Sequence, residues 1–562
     1  MKRITEQHIE YFNCHAILLT GAGISVRSGI PSVYPFTQYL LKRLGATDAD
    51  TEAFITSGFP FEAMMEVLKT RLNIFKLLSL FDVVNPNNNH HLIALLAHSG
   101  WIKLIVTTNF DRNIEIALMN LGLLEAKDFH VILDLEKIIP ADLANKLVVL
   151  KLHGSIEDHQ SILSTITGVA NEANQERMVK AFNLLFTTPG LKKMITWGYS
   201  FSDHFDIKPA LTQITPVGLD IYSVRYQSGV LAERIINNST DKLFCQFSSA
   251  TNWHCSLDNV VKEIFKKLGL KRISVKPHAW KRKMDQIIKG EITGKGLRAK
   301  HGTLAALFQT AGQTNLALKY AEAGLRKIGK RSPDELLKMD LLGSLGKANL
   351  RDPNNRDAAT ALTYLEQALA IAKKVKNTDY VMTFAADVAS CYNMLGRYSE
   401  AETPYLDVIN YYKKRSKITA VRETSLRHVY GYQIMLAHCY AKQDKFSDAF
   451  PLYHETLVGC REKGFLANQE LCMAGYGLAH VFNKAPEKAL SFFEEGYALA
   501  VLNGSIDRIK SQFALTCSWT WVVHGELAAQ LFYDSEFNKV KEKTGFTKTL
   551  KEIGPGLTGS MK

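Results

Sequence analysis

Cysteine is sparse in this chain and spaced too widely for any common framework. Eight occur in 562 residues, at Cys14, Cys245, Cys255, Cys391, Cys439, Cys460, Cys472 and Cys517, and no two form a C-x-x-C pair. That argues against a disulfide scaffold or a zinc ribbon, so buried free thiols and no metal are expected. Long apolar runs are also missing. None approaches the roughly 20 residues a membrane helix needs, so no membrane partner is expected. The opening MKRITEQHIEYF passes from basic to polar residues without an apolar stretch, which leaves a cytoplasmic location as the expectation. With 46% hydrophobic and 22% charged residues, wholesale disorder is excluded. A chain this long outgrows a single core, so two or more domains are expected.

Acidic residues run short in one place. Between Lys262 and Lys300, 13 Lys and Arg face only Glu263, Asp285 and Glu291, which concentrates most of the net charge of +13 in one segment. A solvated junction is the favoured reading, assigned as a basic linker over 276–300. Contact with nucleic acid or an acidic partner is the lesser alternative.

Ahead of that segment, short apolar runs alternate with helix-like stretches. AILLT (16–20), KLIVT (103–107), LVVLKL (147–152), KMITW (193–197) and LDIYSV (219–224) read as buried strands. Strand alternating with helix implies an α/β domain over 1–275, a Rossmann-like parallel sheet covered on both faces. Ligands bind such sheets at the carboxyl ends of the strands, so the residues just after each run are the ones to inspect.

Beyond Lys300 the strand signal stops and Ala and Leu recur at helical spacing, which predicts an all-α repeat domain over 301–540 and a tail over 541–562. The clearest copy is VASCYNMLGRYSEAETPY, contributing Val388, Ala389, Tyr392, Gly396, Tyr398, Ala401 and Tyr405. Its offsets return at Leu436, Ala437, Tyr440, Phe446, Ala449 and Tyr453, and more weakly around Ala305, Gly346 and Ala479. Five helical hairpins are therefore predicted, each with a small residue that lets its partner approach. The pattern resembles tetratricopeptide repeats, although the anchors lie 41, 43, 48 and 42 residues apart where that family uses about 34. From Gly554 onward the tail carries no core signal.

Four motifs sit at strand ends. GAGISVRSGIP (21–31) follows the first run, and Gly21 and Gly23 would let the backbone approach a pyrophosphate, with amides of a following helix pointing at it. TTNFD (107–111) follows the second, where Asp111 could also cap a helix. KLHGSI places His153 and Gly154 after the third, and an imidazole suits general base work near neutral pH. WGYSFSDHFD (197–206) follows the fourth, with Asp203 and Asp206 able either to bond ribose hydroxyls or to cap a helix.

Taken together and in this order, these motifs resemble the sirtuin family over about residues 10–270. The string GAG-x-S with SGIP is similar to the family's opening, TTNFD to its T-Q-N-x-D with Thr108 in place of Gln, His153-Gly154 to its His-Gly, and Gly198 and Ser200 to its G-x-S turn. The resemblance implies NAD as substrate. It places Gly21, Ala22, Gly23, Ser25 and Ser28 near phosphate or ribose, Ile30 and Pro31 at the nicotinamide pocket, and Asn109 at the nicotinamide ribose and an attacking water. Asp111 would meet the carboxamide, His153 the ribose as general base, and Gly198, Ser200 and Asp203 the adenosine half.

Two departures bear on the reaction. The family's small zinc module has no cysteines from which to be built, and the D-F-R after GIP is replaced by Ser32, Val33 and Tyr34. With a long helical C-terminal region, this combination resembles bacterial antiviral defence proteins that hydrolyse NAD. The resemblance implies an NAD+ glycohydrolase, a homo-oligomer, switched on when the repeats meet a phage protein or other infection-derived activator. A protein deacylase or ADP-ribosyltransferase is one alternative, and a non-catalytic nucleotide-binding scaffold another.

Overall fold

The computed structural model describes the chain apart from residues 1–8, 11–15, 166–171, 202–206, 216–217, 228–231, 237–242, 296–297, 329–333, 352–356, 504–505 and 557–562. It divides into two compact units, 1–316 and 317–562.

In the first unit β1 (Ala16–Thr20), β2 (Ile102–Thr107), β3 (Phe129–Ile132), β4 (Leu147–Lys151), β5 (Lys193–Trp197), β6 (Asp220–Arg225), β7 (Ala232–Ile236) and β8 (Ser249–His254) form one sheet. Their order is β3-β4-β2-β1-β5-β6-β8-β7, parallel throughout except where β7 pairs antiparallel with β8. β1 is buried at all five positions because helices cover both faces and β2 and β5 flank it, which is why it reads as a continuous apolar run. One face packs Leu92, Ile93, Ala117 and Val261 from the helices Asn88–His98, Asn113–Met119 and Leu257–Lys267. The opposite face packs Met178, Phe182 and Leu211 from the helices Glu172–Phe186 and Ile207–Leu211.

From β1 the chain moves to β2, out to β3 at the edge and back to β4 on one side, and then crosses to β5 and β6 on the other. β1 is therefore the switch point, where an open α/β sheet forms its crevice. β3, β7 and β8 escaped the sequence reading. β8 carries SATNWH with only Ala250 and Trp253 buried, an interrupted pattern that its place near the sheet edge permits.

The expected linker over 276–300 is instead part of the first unit. Residues Trp280–Lys295 form a helix whose Met284 and Ile288 are buried. Trp280 meets the Tyr39 ring edge-on at 5.4 Å, and Asp285 pairs with Arg43 at 2.6 Å. Buried Glu291 accepts from Lys76 Nζ and from the Asn73 amide, both at 3.2 Å. Lys281, Arg282 and Lys289 lie exposed on this packed helix, so charge density alone misled the boundary. That boundary falls at 316/317, inside the helix Thr314–Arg326. The preceding helix, Thr303–Thr310, stays with the α/β unit through Phe308 against Phe54 at 5.7 Å and Gln313 donating to the Ala53 carbonyl at 2.6 Å.

The second unit is built of helical hairpins, among them Glu335–Arg351 with Ala358–Lys374, Thr378–Met394 with Tyr398–Arg415, Arg422–Lys442 with Phe446–Glu462, and Leu466–Phe482 with Pro486–Asn503. Close approach at small residues is direct: a Cβ on Gly346 would lie 2.4 Å from Leu365, and one on Gly477 2.6 Å from Phe493. Successive hairpins are tied by side chains donating to carbonyls about one repeat earlier, Asn468 to Arg427 at 3.1 Å and Arg508 to Ala467 at 2.6 Å.

A further hairpin, Ile506–His524 with Glu526–Thr544, was not in the sequence count. Its buried Ala529 and Tyr533 repeat the Ala401 and Tyr405 pair, but the small position twelve residues earlier is Cys517, not Gly or Ala. The expected tail differs as well. Phe546, Leu550 and Ile553 pack into the same core as Phe513, whereas 557–562 lie outside the described residues.

Candidate active site

The turn after β1 sits against the turn after β5. Gly21 N donates to the Trp197 carbonyl at 3.2 Å and Gly23 N to the Gly198 carbonyl at 2.9 Å. A Cβ on Gly23 would stand 2.7 Å from Gly198 Cα, and Gly198 holds φ +65, so both positions require glycine. No long helix follows the glycines directly, contrary to expectation. Ala22–Ile24 and Val26–Ser28 form two short 3-10 turns that end at Gly29 with φ +89, and the next α-helix begins only at Val33.

This arrangement buries Ser25 at the centre of a polar network. Asn109 Nδ2 donates to Ser25 Oγ at 3.0 Å, and Ser25 Oγ donates to Asp111 Oδ2 at 2.9 Å. His90 Nε2 lies 3.1 Å from the same hydroxyl. His90 Nδ1 accepts from the Asn87 amide at 3.1 Å, so the neutral ring carries its proton on Nε2 and donates it to Ser25. Complete burial lowers the His90 pKa to about 4, opposed by the charge of Asp111, which keeps the ring neutral at pH 7.

Asp111 is held on its other oxygen by the Asn113 amide at 3.0 Å and Asn113 Nδ2 at 2.9 Å, at the start of the helix Asn113–Met119. Beneath this turn lies Lys151, the last residue of β4 and fully buried. Its ammonium donates to the Asp111 carbonyl at 2.6 Å and pairs with Glu115 at 2.9 Å. Burial pushes the Glu115 carboxyl up, and Lys151 opposes that shift.

Sheet register sets the height of His153. Thr107 pairs with Lys151, so Asn109 and His153 each stand two residues beyond paired positions on neighbouring strands. The His153 ring lies 6.5 Å from that of Phe110, and its carbonyl accepts from the Leu163 amide at 3.0 Å. Gly154 has φ +83, and a Cβ there would meet the Ser161 carbonyl at 2.2 Å.

Ser25, Asn109 and Asp111 are thus brought together directly, with His153 at the adjoining strand end. Ser28 is not free for a ligand in this arrangement, since it is buried and its Oγ accepts from Asn87 Nδ2 at 3.0 Å. Ile30 and Pro31 are buried beyond the second turn, Ala22 and Thr108 are half-buried, and Ser200 is exposed with its carbonyl accepting from Arg225. Asp203 and Asp206 lie outside the described residues. His90, Asn87, Asn113, Glu115 and Lys151 were missed. NPNNNHH before an apolar helix, and a lysine ending the run LVVLK, were the available signals.

Comparison with known proteins finds matches to part of this half of the chain. Residues 103–216 match the model of the SIR2-like domain. Over 110 residues the chain is 36% identical to an NAD-dependent protein deacetylase of Sulfolobus acidocaldarius, which covers 20% of this chain and 39% of that protein. Among solved structures, similarity extends to putative kinesin light chain TPR-like repeats of Podospora anserina, at 18% identity over 36% of this chain and 94% of that one, with a TM-score of 0.30. It extends also to a signal transduction ATPase with a tetratricopeptide repeat sensor from Pyrococcus horikoshii, at 10% identity over 97% and 90%, with a TM-score of 0.36. The match to the SIR2-like domain thus lies within the α/β half, over residues 103–216.

Proposed function

We propose that the α/β unit hydrolyses NAD+ to nicotinamide and ADP-ribose. The observation that carries this is the convergence of Asn109, Asp111 and Ser25 in one buried network at the switch point of the sheet, with His153 at the next strand end. The glycines at 21, 23 and 198 let two strand-end turns approach closely, which suits a dinucleotide lying across the crevice.

In the reaction the bond from ribose C1′ to the nicotinamide ring nitrogen breaks and its electron pair leaves with nicotinamide. Positive charge develops on the ribose, and water adds at C1′ while giving its proton to a base. Asn109 would orient the ribose and the water, and His153 would take the proton. Water is favoured as acceptor because no cysteine lies between Cys14 and Cys245, so the zinc module that helps frame an acyl-lysine site has no thiolates.

The second reading is a protein deacylase or ADP-ribosyltransferase, favoured by the similarity to the archaeal deacetylase. Mass spectrometry of products from full-length protein, NAD+ and an acetylated peptide, in the presence of extract from phage-infected cells to supply the activator, separates the two. Free ADP-ribose with nicotinamide is the expected result. Acyl-ADP-ribose or modified protein would replace hydrolysis with the rival.

In the cell, this activity would serve as the effector of an antiphage system, restrained until the repeats bind an infection-derived activator and the chain assembles as a homo-oligomer. Stacked hairpins, which present extended surfaces, suit recognition of a protein. Bacteria expressing the wild type should lose NAD on phage challenge while an Asn109→Ala strain retains it. Equal NAD in both strains across several phages would remove the defence role.

A further inference from the structure

We propose that a second ligand site, for a small phosphorylated anion, lies in the cleft between the N-terminus of the helix Asn88–His98 and the helix Leu257–Lys267. This cleft, half open to solvent, has a volume of about 380 Å³, within the size range of small-molecule sites, and is bordered by the segment 272–277 between the helices Leu257–Lys267 and Trp280–Lys295. None of Asn109, Asp111, His153, Gly198 or Ser200 lines it. It is therefore separate from the residues assigned to NAD.

Charge identifies the class of ligand. Arg27, Lys262 and Arg272 reach the cleft from three different segments, against the single carboxylate of Asp258. That carboxylate is already paired with Arg27 at 2.7 Å. Lys262 and Arg272 have no carboxylate partner among the described residues, and two unpaired cations facing one cavity attract phosphate oxygens. The first turn of the helix Asn88–His98 adds a positive dipole end.

The walls are built to hold shape. Asn88 fixes the bordering segment by a two-way exchange with Ile273, donating to its carbonyl at 3.0 Å and accepting from its amide at 2.8 Å. Asn87 and Asn89 both donate to the Ile24 carbonyl, at 2.8 and 3.0 Å, and so join the floor to the turn that carries Ser25. The bordering segment leads to that turn as well. His278 N donates to the Ser28 carbonyl at 3.1 Å, and a Cβ on Gly29 would stand 2.1 Å from His278 N. An anion bridging Lys262 and Arg272 would draw the bordering segment onto the floor and tighten the turn behind Ser25.

Calorimetry on the full chain with inorganic pyrophosphate, orthophosphate and ATP tests this. Pyrophosphate should bind wild type and Asn109→Ala alike, and the Lys262→Ala/Arg272→Ala double variant should bind at least about tenfold more weakly with an unchanged melting temperature. ATP binding more tightly than pyrophosphate assigns a nucleotide, and equal binding assigns the phosphate group alone. No binding of any probe to the wild type, or equal binding by the double variant, overturns the site. Hydrogen exchange over 270–278 supplies a second readout, where pyrophosphate should slow exchange in wild type only. NAD cleavage is measured separately with extract from phage-infected cells present, so its absence there would defeat the proposed activity and leave this site standing.

Discussion

The two units use buried polar side chains in opposite ways. In the α/β unit they gather at one place and bond across long sequence distances: Ser25 joins Asn109, Asp111 and His90, and Lys151 joins Glu115 and the Asp111 carbonyl. In the repeat unit they are spread along the helices and bond mostly to backbone carbonyls, as Gln469 does to Cys460 and Thr516 to Phe493. The first pattern stabilises a particular arrangement of side chains, and the second joins one helix to the next. The same contrast holds for thiols. Burial pushes Cys391, Cys439, Cys460 and Cys517 of the repeats up to about 12, which suits packing and not reactivity.

If that contrast is correct, substitutions in the network should abolish chemistry and substitutions in the repeats should not. The largest effect is expected at His153→Ala, with a loss of about 10²–10⁴ in the rate of NAD cleavage, read by nicotinamide release. A variant that folds and still cleaves NAD at the wild-type rate would remove His153 from the mechanism. Next comes Lys151→Met, which leaves Glu115 buried without its partner and should cost about 3–5 kcal/mol, measured by denaturant unfolding of the α/β transition. The double variant Lys151→Met/Glu115→Gln should recover part of that stability.

Acid should act on the same network. Burial holds the His90 pKa at about 4, below the 6.5 of an unperturbed imidazole, so below pH 6.5 the unfolded chain binds a proton that the native ring refuses. Stability is fully present above pH 6.5 and falls as pH drops towards 4, by roughly 3 kcal/mol at most. His438 in the repeats has the same depressed value through burial. Thermal scans of His90→Asn and His438→Asn between pH 7 and 4.5 would divide the acid loss between the two units. The smallest effect is expected from Gly477→Ala, whose Cβ would press on Phe493 and cost about 1–3 kcal/mol in the repeat transition. Wild-type NAD cleavage by that variant, in the activated protein, would sharpen the division of labour.

The central strands were legible because burial on both faces leaves little room for polar residues, as AILLT in β1 shows. β8 and β3 were not, since strands towards the sheet edges tolerate Ser, Asn and His. Asn109, Asp111 and His153 could be chosen from motif order, and register places two of them level on neighbouring strands. His90 could not, because its role depends on a helix start that comes into contact with Ser25 only after folding. The 276–300 segment misled for a related reason: its charges are plain in the sequence, whereas the contacts of Trp280 and Glu291 with residues more than 200 positions earlier are not.

One consequence follows from the Ser25 hydroxyl. It accepts from Asn109 and His90 and donates to Asp111, which uses all three of its bonding directions. Such an oxygen has nothing left to offer a guest molecule. Any visitor that did reach it would first have to displace a resident neighbour, which would free that neighbour's own bonding group.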